Sequence, residues 1–259
     1  MTLAIVSALP EEQHGLSHAL QQVRSVQHAG RTFALGQLHG QDVVLALSGI
    51  GKVAAATTTA ALIERFGTQR VVFTGVAGGM GPNVHVGDVV VAQQFLQHDM
   101  DVRPLFPRWQ VPGYTAPTFT CDAAMTQGLL AAVQACVAQA PSWQEPLLAG
   151  LAPRAHLGLI ASGDQFIVSA ERSARLYSDL TRAGHAPLAV EMEGAAIAQA
   201  CADYGVPFAA VRTISDRADD NAHVDFPAFV AAVARRYAQH IITHWLQSEA
   251  NAHSLAQLL

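Results

Sequence analysis

Leu3-Ala4-Ile5-Val6-Ser7, followed at once by Pro10-Glu11-Glu12-Gln13-His14, decides how the rest of the chain is read. Four consecutive apolar residues ending in the β-branched Ile5 and Val6 predict a strand covered on both faces. Pro10 in a first turn, with two acids behind it, predicts a helix over 10–23. The alternation then repeats. Strands are predicted over 31–38, 42–47, 70–74, 88–93, 157–161, 188–190 and 207–213. Helices are predicted over 53–66, 122–138, 170–181, 192–203 and 227–246, the last with Asp225 as its cap and Pro227 just inside. Such a rhythm requires a largely parallel sheet between helical layers. The pair 31–38 and 42–47, joined through His39-Gly40-Gln41, reads instead as a hairpin, so the sheet is expected to be mixed.

The 259 residues are 51% apolar and carry 15 basic against 20 acidic side chains, a net charge of −5. This composition excludes disorder of the main body and gives no basic footprint for nucleic acid or anionic lipid. Apolar stretches such as Leu129–Val133 and Ala228–Ala234 fall far short of the roughly 20 residues a spanning helix needs, so no membrane partner is expected. Met1–Pro10 lacks a positive n-region, and a cytoplasmic location follows as the expectation. Cys121, Cys136 and Cys201 are widely spaced in apolar surroundings, as reduced thiols would be. Two segments interrupt the rhythm. Pro104–Pro117, with four prolines, reads as a long ordered loop, and 140–154, with three, as a surface connector.

Two glycine clusters fail the common phosphate templates. Ser48-Gly49-Ile50-Gly51-Lys52-Val53 has Ala46 and Val53 where a P-loop needs Gly and Ser/Thr, and Thr74–Gly81 has the wrong glycine spacing for a dinucleotide fingerprint. Both read equally as turns that close packing or as a tight strand-end loop passing under a flat ligand. Acids at strand ends say more, because ligands of α/β sheets sit outside the carboxyl ends of strands. Glu11-Glu12, Glu191-Met192-Glu193 and Ser215-Asp216 each follow a predicted strand. One such acid reads as a helix-dipole partner; three in register point to a crevice for acid and base work. His98-Asp99-Met100-Asp101 and the pair His240 and His244 could be taken for metal ligands, but solvated or core histidines are commoner, and no metal site is expected. No Gly-x-Ser-x-Gly elbow is present.

Eight blocks, LAIVSALPEE (3–12), SGIGKVA (48–54), TGVAGG (74–79), VGD (86–88), HDMDV (98–102), SGD (162–164), VEMEGA (190–195) and VRTISD (211–216), resemble the nucleoside phosphorylase/hydrolase superfamily across residues 3–246. Within it they most resemble the branch that hydrolyses 5′-methylthioadenosine and S-adenosylhomocysteine. The resemblance implies a single-domain three-layer αβα sandwich with a mixed central sheet. It places the domain over 1–247 with a tail over 248–259, acting as a homodimer without metal or organic cofactor on a small nucleoside. It assigns Asp216 as the acid for N7 of adenine, Glu12 as the group that positions or activates the attacking water, and Glu193 as the holder of the ribose hydroxyls with Met192 beside the sugar. Phe166 and Ile167 would contact the base, Val76, Ala77 and Gly78 would line the site, Ser215 would attend Asp216, and Arg212 would brace the acids. Phe106 and Pro112 would reach into a neighbouring subunit's pocket. Val76 departs from the family pattern, which has a small polar residue there. The alternatives are a futalosine or aminofutalosine hydrolase, a phosphate-dependent phosphorylase, and a nucleoside-binding module without activity.

Overall fold

Leu3–Ser7 forms strand β1, every residue buried, hydrogen-bonded in parallel to a strand on each side. The computed structural model describes residues 2–143, 145–219 and 229–256. In chain order the elements after β1 are α1 (Pro10–Ala19), β2 (Gln21–His28), β3 (Arg31–Leu38), β4 (Gln41–Leu47), α2 (Lys52–Phe66), β5 (Arg70–Gly79), β6 (Val89–Gln97) and β7 (Thr118–Thr120). They continue with α3 (Ala123–Gln139), β8 (Ala155–Ser162), α4 (Ala170–Arg182), β9 (Pro187–Glu191), α5 (Gly194–Tyr204), β10 (Phe208–Asp216) and α6 (Arg235–Ala256), the last preceded by a π-helical turn at Val230–Ala234.

Period-two alternation along β1 builds the layers. Leu3 and Ile5 join Leu16, Leu129, Tyr237 and Trp245 in a core under α1, α3 and α6. Ala4 and Val6 join Ala55, Leu62, Phe73 and Ile197 in a second core under α2 and α5. The expected α/β class with a mixed central sheet is the observed one: β1 is parallel to β4 and β5, whereas β2, β3 and β4 form antiparallel hairpins. The sheet also bends back on itself. β5 pairs with β10, β10 with β6, β6 with β8, β8 with β9, and β9 again with β5, so five strands close a circuit around one end of the molecule.

Several boundaries differ from the sequence reading. The helix expected over 10–23 stops at Ala19, because Leu20 is extended and Gln21–His28 turns into the edge strand β2. A polar strand whose side chains are mostly in water carries little alternation. The missed signal was Ala29-Gly30, both at positive φ, a two-residue turn like His39-Gly40 of the next hairpin. β7 is too short to announce itself. The glycine cluster read either as packing turns or as a strand-end loop is instead the second half of β5, with Gly75 opposite Arg212 and Gly78 opposite both Asp216 and Val190. The 104–117 segment is free of helix and strand, as expected, and is anchored by buried Trp109, whose Nε1 donates to the His98 carbonyl at 3.0 Å. The 140–154 connector holds two short 3₁₀ turns and packs Trp143 against Tyr237. Asp225 and Pro227 lie outside the described residues. α6 itself runs past position 247 to Ala256, and Glu249 on it pairs with Arg70 at 2.8 Å.

Candidate active site

The ends of β5, β9 and β10 from the closed circuit, with the end of the adjoining β1, surround one cavity of about 330 Å3. Glu12 enters it from the first turn of α1. Burial is nearly complete, so the carboxylate must be paid in hydrogen bonds. Oε2 accepts the N–H groups of Ala8 and Leu9, both at 2.9 Å, and Oε1 accepts the N–H of Val76 at 2.9 Å. Burial pushes the Glu12 carboxyl above its ordinary value, against the opposing pull of the Arg212 charge and of those backbone donors. Its neighbour Glu11 is exposed and takes no part.

β9 delivers two acids with different tasks. Glu191 is the one that serves its helix, accepting the N–H groups of Glu193 at 3.1 Å and Gly194 at 2.9 Å. It also accepts the Ser162 hydroxyl and pairs with Arg212 Nη2 at 2.5 Å. The Glu193 side chain makes no bond to the α5 backbone; its Oε1 accepts the Gly51 N–H at 2.8 Å from across the cavity, and its Oε2 lies 3.6 Å from Arg212. Burial, with the Glu191 charge added, raises the Glu193 carboxyl above its ordinary value despite Arg212. A simple helix-dipole role therefore accounts for Glu191 but not for Glu193.

Asp216 arrives on β10 through a bulge: the pairing with β5 slips between Ile214 and Asp216, leaving Ser215 as the extra residue. The slip sets Asp216 opposite Gly78. Oδ1 accepts the Ala218 N–H at 2.7 Å, and Oδ2 bonds the Ser215 hydroxyl at 2.8 Å. Gly78 has no side chain because a Cβ there would stand 2.8 Å from that of Ala218 and 3.0 Å from Asp216 Oδ1.

Behind these acids Arg212 is 0% exposed, its guanidinium 3.5 Å above the Phe73 ring centre. Gly75 makes room for it: a Cβ there would overlap both Arg212 Nη1 and Glu12 Oε1. Gly75→Ala is therefore expected to destabilise the protein by about 1–3 kcal/mol through overpacking and to lower activity by displacing Glu12. Chemical denaturation and turnover of the same preparation would check this, and an unchanged variant would show that the arginine has slack.

Of the residues singled out in the sequence, Glu12, Val76, Ala77, Gly78, Met192 and Glu193 line this cavity. Phe166, Ile167 and Asp216 do so as well, with Ile167 buried and Phe166 45% exposed at the mouth. Ser215 and Arg212 sit one layer behind, in contact with the acids. Phe106 and Pro112 do not line it; they lie exposed on the 104–117 loop. The sequence reading named Glu191 among the strand-end acids but gave it no role of its own, and it passed over Ile50 and Gln165 as site residues, which are wall residues with no chemical signature. The cysteines are buried and unbridged, and burial holds the Cys121 and Cys136 thiols at about 12, so no thiolate is at hand. Among the described residues no three His, Cys, Asp or Glu side chains are grouped to hold a metal, and no helix is long and apolar enough to cross a membrane. His98 is buried and His240 stacks on Trp143.

Four buried carboxylates, Glu12, Glu191, Glu193 and Asp216, around a largely apolar cavity, mounted on a bent mixed sheet, define an α/β enzyme that works by acid and base chemistry on a small organic substrate. The chain belongs to the phosphorylase superfamily, whose pattern matches residues 2–247. It is 34% identical over 242 residues to a 5′-methylthioadenosine/S-adenosylhomocysteine nucleosidase of Aeromonas salmonicida, covering 93% of this chain and 97% of that one. Among solved structures it resembles the nucleosidase of that name from Colwellia psychrerythraea in complex with adenine, with 34% identity, a TM-score of 0.83 and 95% of each chain covered. It also resembles the futalosine hydrolase of Helicobacter pylori, with 31% identity, a TM-score of 0.80 and 96% and 98% covered.

Proposed function

We infer that the chain hydrolyses the N-glycosidic bond of 5′-methylthioadenosine and S-adenosylhomocysteine, releasing adenine and the 5-thio-ribose product. The observation that carries this reading is the convergence of Glu12, Glu193 and Asp216, with Glu191 paired to Arg212 beside them, on one cavity that is otherwise largely apolar. Each acid answers one need of the reaction. Adenine leaves poorly as an anion, so Asp216 gives N7 a proton as the bond from C1′ to N9 breaks and its electron pair moves into the base. The ribosyl carbon becomes cationic, and the buried carboxylates stabilise that charge in a medium that screens it little. Water attacks C1′ and its proton passes to Glu12, whose raised affinity for protons suits a base working near neutrality. Glu193 holds the ribose hydroxyls with Met192 against the sugar, while Phe166 covers the base and Ile167 meets its edge. Val76, Ala77 and Gly78 form the floor, and Arg212 offsets the summed negative charge.

Water rather than phosphate as the nucleophile is supported by charge. No Lys or Arg lines the cavity among the described residues, and the buried Arg212 behind it is already engaged by Glu191. A phosphate dianion would approach Glu12 with no cationic side chain in the cavity to bind it, the Arg212 charge being already shared among the acids. Adenine release from 5′-methylthioadenosine is accordingly expected to run at the same rate in phosphate-free buffer as with phosphate added. Strict dependence on phosphate would make the protein a phosphorylase and remove the role of Glu12. Release from aminofutalosine alone would move the substrate to the futalosine type, and tight binding without release from any of these would leave a nucleoside-binding module.

The same reading includes a homodimer in the cytoplasm serving methionine salvage. Phe106, 39% exposed, and Pro112 stand on a loop away from the chain's own cavity, where a second copy could receive them over the 5′-alkylthio group. Sedimentation of Phe106→Ala, together with its KM, tests this.

A further inference from the structure

Outside the cavity, three residues close a ring of hydrogen bonds. Lys52, the first residue of α2, donates its backbone N–H to Asp164 Oδ1 at 2.7 Å and its ammonium to Asp99 Oδ1 at 2.6 Å. Asp164 donates its own N–H to Asp99 Oδ2 at 2.9 Å. The ring therefore ties together the connections that leave β4, β6 and β8. Gln97 reinforces it by accepting the Lys52 ammonium at 3.0 Å. Burial alone would raise the Asp99 carboxyl, yet the Lys52 ammonium and the Asp164 N–H outweigh it and hold Asp99 below its ordinary value, hence ionised.

Gly51 stands between this ring and the cavity. Its φ of +99° belongs to a region that side-chain-bearing residues rarely adopt, and a Cβ there would lie 3.1 Å from Asp164 Oδ1. Two successive N–H groups thus serve different carboxylates: that of Lys52 goes to Asp164, and that of Gly51 goes to Glu193 at 2.8 Å. The Gly51 N–H is the one hydrogen bond received by the Glu193 carboxylate among the described residues, its other oxygen lying 3.6 Å from Arg212. Glycine has no side chain to fix its own peptide planes. The peptide that follows Gly51 is held by the Ala55 N–H on its carbonyl at 3.0 Å and by the Lys52 N–H on Asp164, and the donor that precedes it is anchored through that one junction.

We infer that Asp99 is a positioning residue for Glu193: by clamping Lys52 and Asp164 it fixes the Gly51 peptide whose N–H aims the Glu193 carboxylate into the cavity. The inference rests on the assignment of Glu193 to the ribose hydroxyls. Loss of the clamp releases the Gly51 peptide, and Glu193 turns toward Arg212 and away from the sugar. The penalty then falls on substrates that carry those hydroxyls.

The test is Asp99→Asn, assayed on 5′-methylthioadenosine and on its 2′,3′-dideoxy counterpart, alone and combined with Glu193→Gln. The single variant is expected to lose about tenfold in kcat/KM on the ribonucleoside and less than about twofold on the dideoxy analogue, and to add little to the loss in Glu193→Gln. Asp164→Ala should reproduce the same selective loss, which keeps the test open if Asp99→Asn unfolds in a thermal melt. Equal losses on both substrates, fully additive with Glu193→Gln, would reduce Asp99 to general structural support and overturn the inference. If Glu193→Gln itself fails to distinguish the two substrates, the ribose assignment has failed and the inference falls with it. Selectivity in Glu193→Gln without selectivity in Asp99→Asn refutes the positioning role alone.

Discussion

Asp216→Asn is expected to lower kcat by about 10²–10⁴-fold, the usual contribution of a positioned general acid, while the protein stays folded and binds nucleoside. The substitution is isosteric. Its carbonyl still accepts the Ala218 N–H now held by Oδ1 at 2.7 Å, and its amide can donate to the Ser215 hydroxyl, which today lies 2.8 Å from Oδ2. What vanishes is the transferable proton. Adenine would then have to depart as an anion, and the loss appears in single-turnover release of the base rather than in the dissociation constant measured by calorimetry. Full activity in this variant would remove Asp216 from its role. The same pair of measurements on Ser215→Ala should show a smaller loss, because that hydroxyl only orients the acid.

Glu12→Gln is the second large effect, again about 10²–10⁴-fold in kcat with little change in KM. It also carries a structural cost that Asp216→Asn avoids. Both Glu12 oxygens accept backbone N–H groups, from Ala8 and Leu9 on one side and from Val76 on the other, so an amide NH₂ must face at least one of these donors. That conflict is worth about 1–3 kcal/mol of stability. The pH profile separates the two consequences. As a base Glu12 works only when ionised, and its proton affinity is raised in the folded protein, so wild-type kcat/KM should climb with pH through a value above the ordinary 4.5. The variant should lack that limb. By linkage the raised value also means that stability contributed by this group is fully present below 4.5 and lost as pH rises through the folded value. If the variant raised only KM, Glu12 would be a binding residue and the water would need another base.

The acids were legible because chemistry restricts residue type: strand-end carboxylates are visible in a sequence whenever the strands are. Their partition was not. Glu191 and Glu193 are separated by one methionine, yet one caps α5 and binds Arg212 while the other reaches Gly51, 142 positions away in sequence. Similarly, Thr74–Gly79 is a glycine-rich run in sequence and could be loop or strand. Only the approach of β9 and β10 on either side, with Arg212 pressed against Gly75, makes those missing side chains a packing requirement. β2 escaped notice for the opposite reason: an exposed edge strand buries too little to impose a pattern on its residues.

By itself the sequence determined the α/β class, the order of most strands and helices, and the residue types available for acid and base work, since these follow from local periodicity and from the chemistry of single side chains. The tertiary structure alone decided that five strands close a circuit, that a bulge at Ser215 swings Asp216 opposite Gly78, and that a clamp at Asp99 lies behind Glu193. Those outcomes depend on contacts between segments far apart in the chain, where register and close approach are set by packing, and no local pattern encodes them.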